Sequence, residues 1–250
     1  MKSRIVTTLP RLALLAFCLL LSAGARADLA SFLEAVVQAH GGGATPGAVH
    51  ERGVTESPRR GKGPVERWWQ APDRFRIEIA YPGGAESRLL HGAEAWQQGR
   101  PATPALRSAA VLQAARMALP WRLREQAERI TDLGTLPLGD GKEARTLEWR
   151  LGEGLRVIVE IDAKTRLILR SRGVMTINGA SMEFATGYED YQMVAGRRVA
   201  MTERHFAMGQ YIGHTQLESV EFPDSLPEST FEPAAPAGVR AGATRIAPSG

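Results

Sequence analysis

Cysteine is almost missing from this chain: there is one, Cys18, among 250 residues. A disulfide framework and a cysteine-ligated metal site are therefore excluded. Long apolar runs are missing too. The longest near the N-terminus, Leu12 to Leu21, would span only ~15 Å as a helix, about half of a bilayer's hydrocarbon core. The five histidines, His40, His50, His91, His205 and His214, are dispersed, and none stands at the i, i+4 spacing of a helical zinc pair. His205 and His214 flank a tight turn and could meet across strands, but two ligands do not close a metal site, so exposed edge positions are expected for both. No phosphate-cradling loop or dinucleotide fingerprint occurs, so no cofactor and no metal are expected. His40-Gly41-Gly42-Gly43 has the letters of an oxyanion loop, but no G-x-S-x-G pentad accompanies it. The nearest, Gly179-Ala180-Ser181-Met182-Glu183, lacks its last glycine. Glu78, Glu183 and Glu203 alternate onto strand faces expected to be solvated, and no two form an acid–base pair. No catalytic residue is assigned, and a non-enzymatic protein is expected.

Net charge is also scarce once the N-terminus is set aside. Lys2, Arg4 and Arg11, the apolar run and the small-x-small end Ala25-Arg26-Ala27 read as a secretory signal peptide over residues 1–27, cut after Ala27. A lipidated Cys18 fits poorly, since bulky Phe17 precedes it and leucines follow. The leader holds four of the 31 basic residues and none of the 27 acidic ones, so 27 of each remain. The high whole-chain pI therefore says nothing in favour of a nucleic-acid partner. About 223 residues are left, enough for one domain with a sizeable core.

What remains is strand grammar. Phe75, Ile77, Ile79 and Tyr81 alternate with Arg74, Arg76, Glu78 and Ala80, giving one greasy and one wet face. Trp68 to Gly99 reads as a three-strand meander bracketed by tryptophans. Before it, Leu29, Phe32, Leu33 and Val36 mark an amphipathic helix capped by Asp28 and stopped at His40–Gly43. Ala48–Ser57 and Pro64–Gln70 read as strands. Between Thr103 and Leu119 the apolar spacing changes to three and four, giving a helix broken by Pro120 and a shorter helical piece over Trp121–Ile130. Strands resume at Ala144–Arg150, then Leu155–Ile161, Thr165–Ile177, Ser181–Tyr191, Arg197–Met208 and Tyr211–Phe222. Short turns make these hairpins of an antiparallel sheet. About eleven strands exceed what an open twisted sheet holds without curling. The expected fold is mainly β with helices (α+β): an unclosed antiparallel β-barrel over residues 28–232, helices on its concave side, and a loose tail over 233–250. The arginines of the outer faces (Arg74, Arg76, Arg166, Arg170, Arg172) are expected to pair with glutamates across strands.

The order of these pieces resembles a known family. Pro72-Asp73-Arg74-Phe75-Arg76 is similar to its P-x-R-(F/L)-R strand, and His91-Gly92-Ala93-Glu94-Ala95-Trp96 to its D-G-x-x-x-W turn. Ile161-Asp162-Ala163-Lys164-Thr165-Arg166-Leu167 resembles its iD-x-x-T-x-L hairpin. Tyr188–Gly196 and the closing Val220–Pro233 match two further motifs. Together they cover the chain from about Asp28 to Pro233 and resemble the LolA/LolB-like superfamily of periplasmic lipoprotein-sorting proteins. Departures are His91 in place of aspartate and Val199-Ala200 where many members carry proline. The resemblance implies an unclosed barrel with an apolar cavity for lipid or lipoprotein acyl chains, without cofactor or catalysis. It also implies a periplasmic carrier working beside an inner-membrane transporter or an outer-membrane acceptor. Strand parity nominates Trp69, Phe75, Ile77, Ile79, Trp96, Val157, Val159 and Phe184 as the inner face of that cavity, with the helices from Thr103 to Ile130 as its lid. The alternative is a protein-interaction or sensor module on the same fold, with a filled core and no lipid cargo.

Overall fold

The computed structural model describes residues 26–152 and 154–233. Most of the expected leader, and the tail beyond Pro233, lie outside the described residues. Helix α1 occupies residues 26–39, so Asp28 sits within the helix instead of capping it, and its carboxylate pairs with Arg145 at 2.5 Å. The helix stops where expected. Gly41, Gly42 and Gly43 all have positive φ, and the Gly42 N–H donates to the Val37 carbonyl.

Two meanders follow. The first comprises β1 (Ala48–Ser57), β2 (Gly61–Gln70), β3 (Arg74–Tyr81), β4 (Gly84–His91), β5 (Glu94–Gln97) and the two-residue β6 (Arg100–Pro101). Helices α2 (Pro104–Ala115) and α3 (Leu119–Glu125) connect it to the second. That meander runs through β7 (Ile130–Gly139), β8 (Lys142–Gly152), β9 (Leu155–Asp162), β10 (Ile168–Ile177), β11 (Ala180–Val194), β12 (Arg197–Ala207) and β13 (Gln210–Glu221). Antiparallel pairing of β1 with β13 fuses both into one thirteen-stranded sheet, ordered β6-β5-β4-β3-β2-β1-β13-β12-β11-β10-β9-β8-β7. The sheet is not closed: its edges are β6 and β7, the two strands that the helices link in sequence.

The strand count exceeds the expected eleven because β6 is a two-residue pairing and β7 lacks an apolar face. The helical break also differs. Helix α2 ends at Ala115, Ala118 turns the chain with φ +50°, and Pro120 falls in the first turn of α3, where its missing N–H costs nothing.

The helices lie on the concave face and divide the core in two. In one half Leu29, Phe32, Leu33 and Val36 of α1, with Leu112 and Leu123, pack on Leu147, Trp149, Val157, Val159 and Ile161. In the other, Ala110, Ala114 and Met117 pack on Val49, Val65, Trp69, Phe75, Ile77 and Leu217. Helix α2 thus touches strands of both meanders. Its seat is Gly173, where an added methyl would lie 3.3 Å from Leu112 Cβ. The Arg122 guanidinium sits over both Trp69 and Trp149, at 5.5 and 5.1 Å from their ring centres, and so joins the two halves.

Only part of the expected arginine–glutamate pairing forms: Arg166 lies over the Phe32 ring and Arg170 over the Phe206 ring, with no carboxylate on either among the described residues. Arg76 pairs with Glu78, Arg74 with Glu228, and Arg172 approaches Glu160 and Glu183. The 3-10 turn Glu228–Phe231 folds back onto the convex face and buries Phe231 beneath Arg74.

Candidate functional site

The second half of the core is not filled. A cavity of about 380 Å³ lies between the concave face of β1–β4, β12 and β13 and the end of α2 with the start of α3. One wall is apolar, formed by Phe75, Ile77 and Ile79 of β3 with Val49 and Val65 from the neighbouring strands. Period-two alternation puts these side chains on one face, and cross-strand pairing sets Val65 opposite Ile79.

The expected site residues separate into groups. Phe75, Ile77 and Ile79 line the cavity. Trp69 is buried beside them in the packed part of the same cluster. Val157 and Val159 are fully buried under α1 and α2 in the other half of the core, with Phe184 against them. Trp96 faces the opposite side of the sheet, in a shallow groove with Arg76, Leu89 and Pro233.

The opposing wall is polar and charged, which strand parity should have revealed. Arg67 shares its face with Val65 and Trp69, Glu51 with Val49, and Glu203 with Met201 and His205. Glu203 is therefore not on a solvated face: it is 7 % exposed and lines the cavity. Arg67 lies directly opposite Glu51 in the β1–β2 register. Its Nε is 2.8 Å from Glu51 Oε2, and its Nη1 donates to Glu203 Oε2 at 2.8 Å. Glu203 reaches across because β13, lying between β1 and β12, presents only Thr215 and Gly213 at that level. Burial works against the Arg67 cation, but the Glu203 and Glu51 carboxylates outweigh it and hold its pKa above the ordinary value. Burial raises Glu203, but Arg67 and His205 prevail and hold its carboxyl below the usual range. Burial of Glu51 prevails over Arg67, and its carboxyl is pushed up.

A hydrogen-bond chain leads away from this cluster. Arg116, the C-cap of α2, donates from Nη1 to Thr186 Oγ1 at 3.1 Å. His205 Nε2 donates to Thr215 Oγ1 at 2.9 Å, Thr215 to Thr55 Oγ1 at 3.1 Å, and Thr55 to the His214 carbonyl at 3.1 Å. His205 is thus an interior wall residue, not an exposed edge residue, and burial lowers its pKa to about 4. His214 instead meets the Tyr211 hydroxyl, so the two histidines do not converge. Among the described residues no three metal-ligating side chains gather in one place.

At the far end stands His40, 2 % exposed. Its Nδ1 is 2.8 Å from the Val36 carbonyl, which only accepts, so Nδ1 carries the proton. Nε2 is then a bare lone pair, buried with no partner and bordering the cavity. Burial drives this ring's pKa down to about 4.

No protein-family model matches the chain, and no curated protein matches it in sequence. Solved structures do match in shape. A LolA superfamily protein from Nitrosomonas europaea aligns over 81 % of this chain and 96 % of its own, with TM-score 0.52 and 12 % identity. The fold is LolA-like. A DUF1329 family protein from Desulfovibrio piger aligns over 84 % of this chain and 96 % of its own, with TM-score 0.53 and 12 % identity. Among the described residues no helix is long and apolar enough to cross a membrane.

Proposed function

We propose that this protein is an exported periplasmic carrier that shelters acyl chains of a lipid or lipoprotein in its concave cavity, with no catalytic role. The observation that carries this reading is the cavity itself: about 380 Å³ left open against the apolar wall of Phe75, Ile77 and Ile79. That volume is at the small end of the range for single-ligand sites, roughly 300–1,000 Å³, and suits one chain in this conformation. Each methylene moved from water into the cavity contributes about 0.8 kcal/mol, so a modest stretch of chain suffices for binding. A protein-interaction module on the same fold would need no empty cup behind its sheet. The LolA-like fold and the leader read over residues 1–27 support the periplasmic setting. Transfer between an inner-membrane donor and an outer-membrane acceptor is the role such a carrier would serve.

Uptake of an environment-sensitive fluorescent acyl probe tests the reading. The protein should enhance the probe's emission saturably, and Ile79→Glu, which places a charge on the cavity wall, should weaken binding at least about tenfold while the protein stays folded. No saturable uptake by the unmodified protein would sink it.

A further inference from the structure

The cavity is greasy on one side only, and its polar wall asks for a specific kind of ligand. Arg116 projects from the end of α2 into the interior. Its Nε donates to the Leu112 carbonyl of its own helix at 3.2 Å and its Nη1 to Thr186. Neither partner is charged, and among the described residues no carboxylate lies within ion-pairing distance of it. Of the other arginines that line the cavity, Arg67 is paired with Glu51 and Glu203, Arg60 and Arg88 share Glu86, and Arg198 borders the far end beside His40. A guanidinium carries five N–H donors, and the neutral partners of Arg116 leave Nη2 free toward the cavity. Beside it, Arg67 Nη2 is buried with no hydrogen-bond partner. Unmet donors on a buried wall are costly unless a ligand meets them.

We infer that the cavity binds an amphiphile with a single anionic head group, a carboxylate or a phosphate, seated on Arg116 and Arg67 with its chain along Ile77 and Ile79. This rests on the carrier reading above and narrows it: a neutral acyl-glyceryl head would leave the same donors unmet. The local charge agrees. Glu51 and Glu203 both engage Arg67, which leaves the Arg116 guanidinium beside them with no carboxylate of its own. An anion restores the balance. The arrangement is also directional, because the head binds under the end of α2 and the chain extends along β3.

Three ligands of equal chain length separate the possibilities: palmitate, hexadecyl phosphate and hexadecanol, each displacing the fluorescent acyl probe from the full chain. A charge-assisted contact predicts that both anions bind at least about tenfold more tightly than the alcohol. Arg116→Met, in a protein that still unfolds cooperatively, should abolish that preference by bringing both anions down to the affinity of hexadecanol, and Arg116→Lys should restore part of it. Equal affinity for all three, or a preference that survives in Arg116→Met, overturns the anionic subsite and leaves the carrier reading standing. Displacement of none of them by the unmodified protein overturns both. Inorganic phosphate alone should not compete at the concentrations at which hexadecyl phosphate does; equal competition would assign the site to a small free anion and overturn the amphiphile.

Discussion

At the residue level, the decisive feature is a buried ion cluster built into the wall of a cavity. Glu51 and Glu203 share one arginine, so removing Arg67 leaves two buried acidic side chains facing each other without their ion-pair partner. Breaking a buried pair in this way costs about 3–5 kcal/mol. Arg67→Met should lower stability by that amount in urea titration, and adding Glu203→Gln should recover part of the loss. A loss below about 0.5 kcal/mol would mean that the cluster is solvated. His40 provides a pH signature. Its ring titrates at 6.5 in the unfolded chain and at about 4 in the fold, so the unfolded chain takes up its proton first as pH falls. The contribution is full above pH 6.5 and disappears as pH falls towards 4, a loss of about 3 kcal/mol. His205 adds a loss of the same sign. The urea midpoint should therefore drop over that window, and His40→Asn should flatten the drop; an unchanged slope would place the titration elsewhere. Glu51, Arg67, Glu203 and His205 were legible from parity, since they share their strands' inner faces with apolar residues, whereas His40, at the end of α1, was not. Charge was the misleading signal: it suggested a wet face where the register delivers an ion pair.

At the level of elements, the structure depends on how the helices are seated. The loop after α1 presses against the β11–β12 turn: a methyl at Gly41 would lie 2.2 Å from the Gly196 carbonyl oxygen, and Gly41 has φ +105°. The Arg198 N–H donates to the His40 carbonyl across the same contact. Gly41→Ala should thus cost more than about 1 kcal/mol, measurable as a lowered thermal midpoint, whereas Gly43→Ala, with open space around it, should cost only its backbone strain. A Gly41→Ala protein as stable as the parent would remove this contact from the account. Helix and strand periods were plain wherever one face was apolar, as in α1, β3 and β9. Strand β7 was not legible, because nine of its ten residues are exposed and no alternation survives. Its formation depends on pairing with β8, which a local pattern cannot report.

For the whole molecule, two meanders joined through β1 and β13 make a sheet that curls without closing, and α2 and α3 span the concave side. An open sheet must manage its edges. Edge strand β7 carries exposed Leu133, Leu136 and Leu138 but also Pro137 and two register irregularities, at Asp132/Gly134 and Pro137/Gly139. These features discourage pairing with another chain. Pro137→Val should increase self-association in light scattering; unchanged behaviour would mean that the bulges suffice.

Antiparallel order and the helical insertion could be read from sequence, as could the greasy face of β3. Whether that face met a plug or a cup could not, because a filled core and a lined cavity use the same residues and differ only in how far the helices descend. The structure leaves the cup open over β3 and filled over β9. Native mass spectrometry of the protein, purified from the cells that make it without harsh detergent, tests the consequence most directly. The account predicts an adduct with the mass of an acyl-bearing molecule, depleted in Ile79→Glu; a mass equal to the polypeptide alone, together with no uptake of an added acyl ligand, would contradict it.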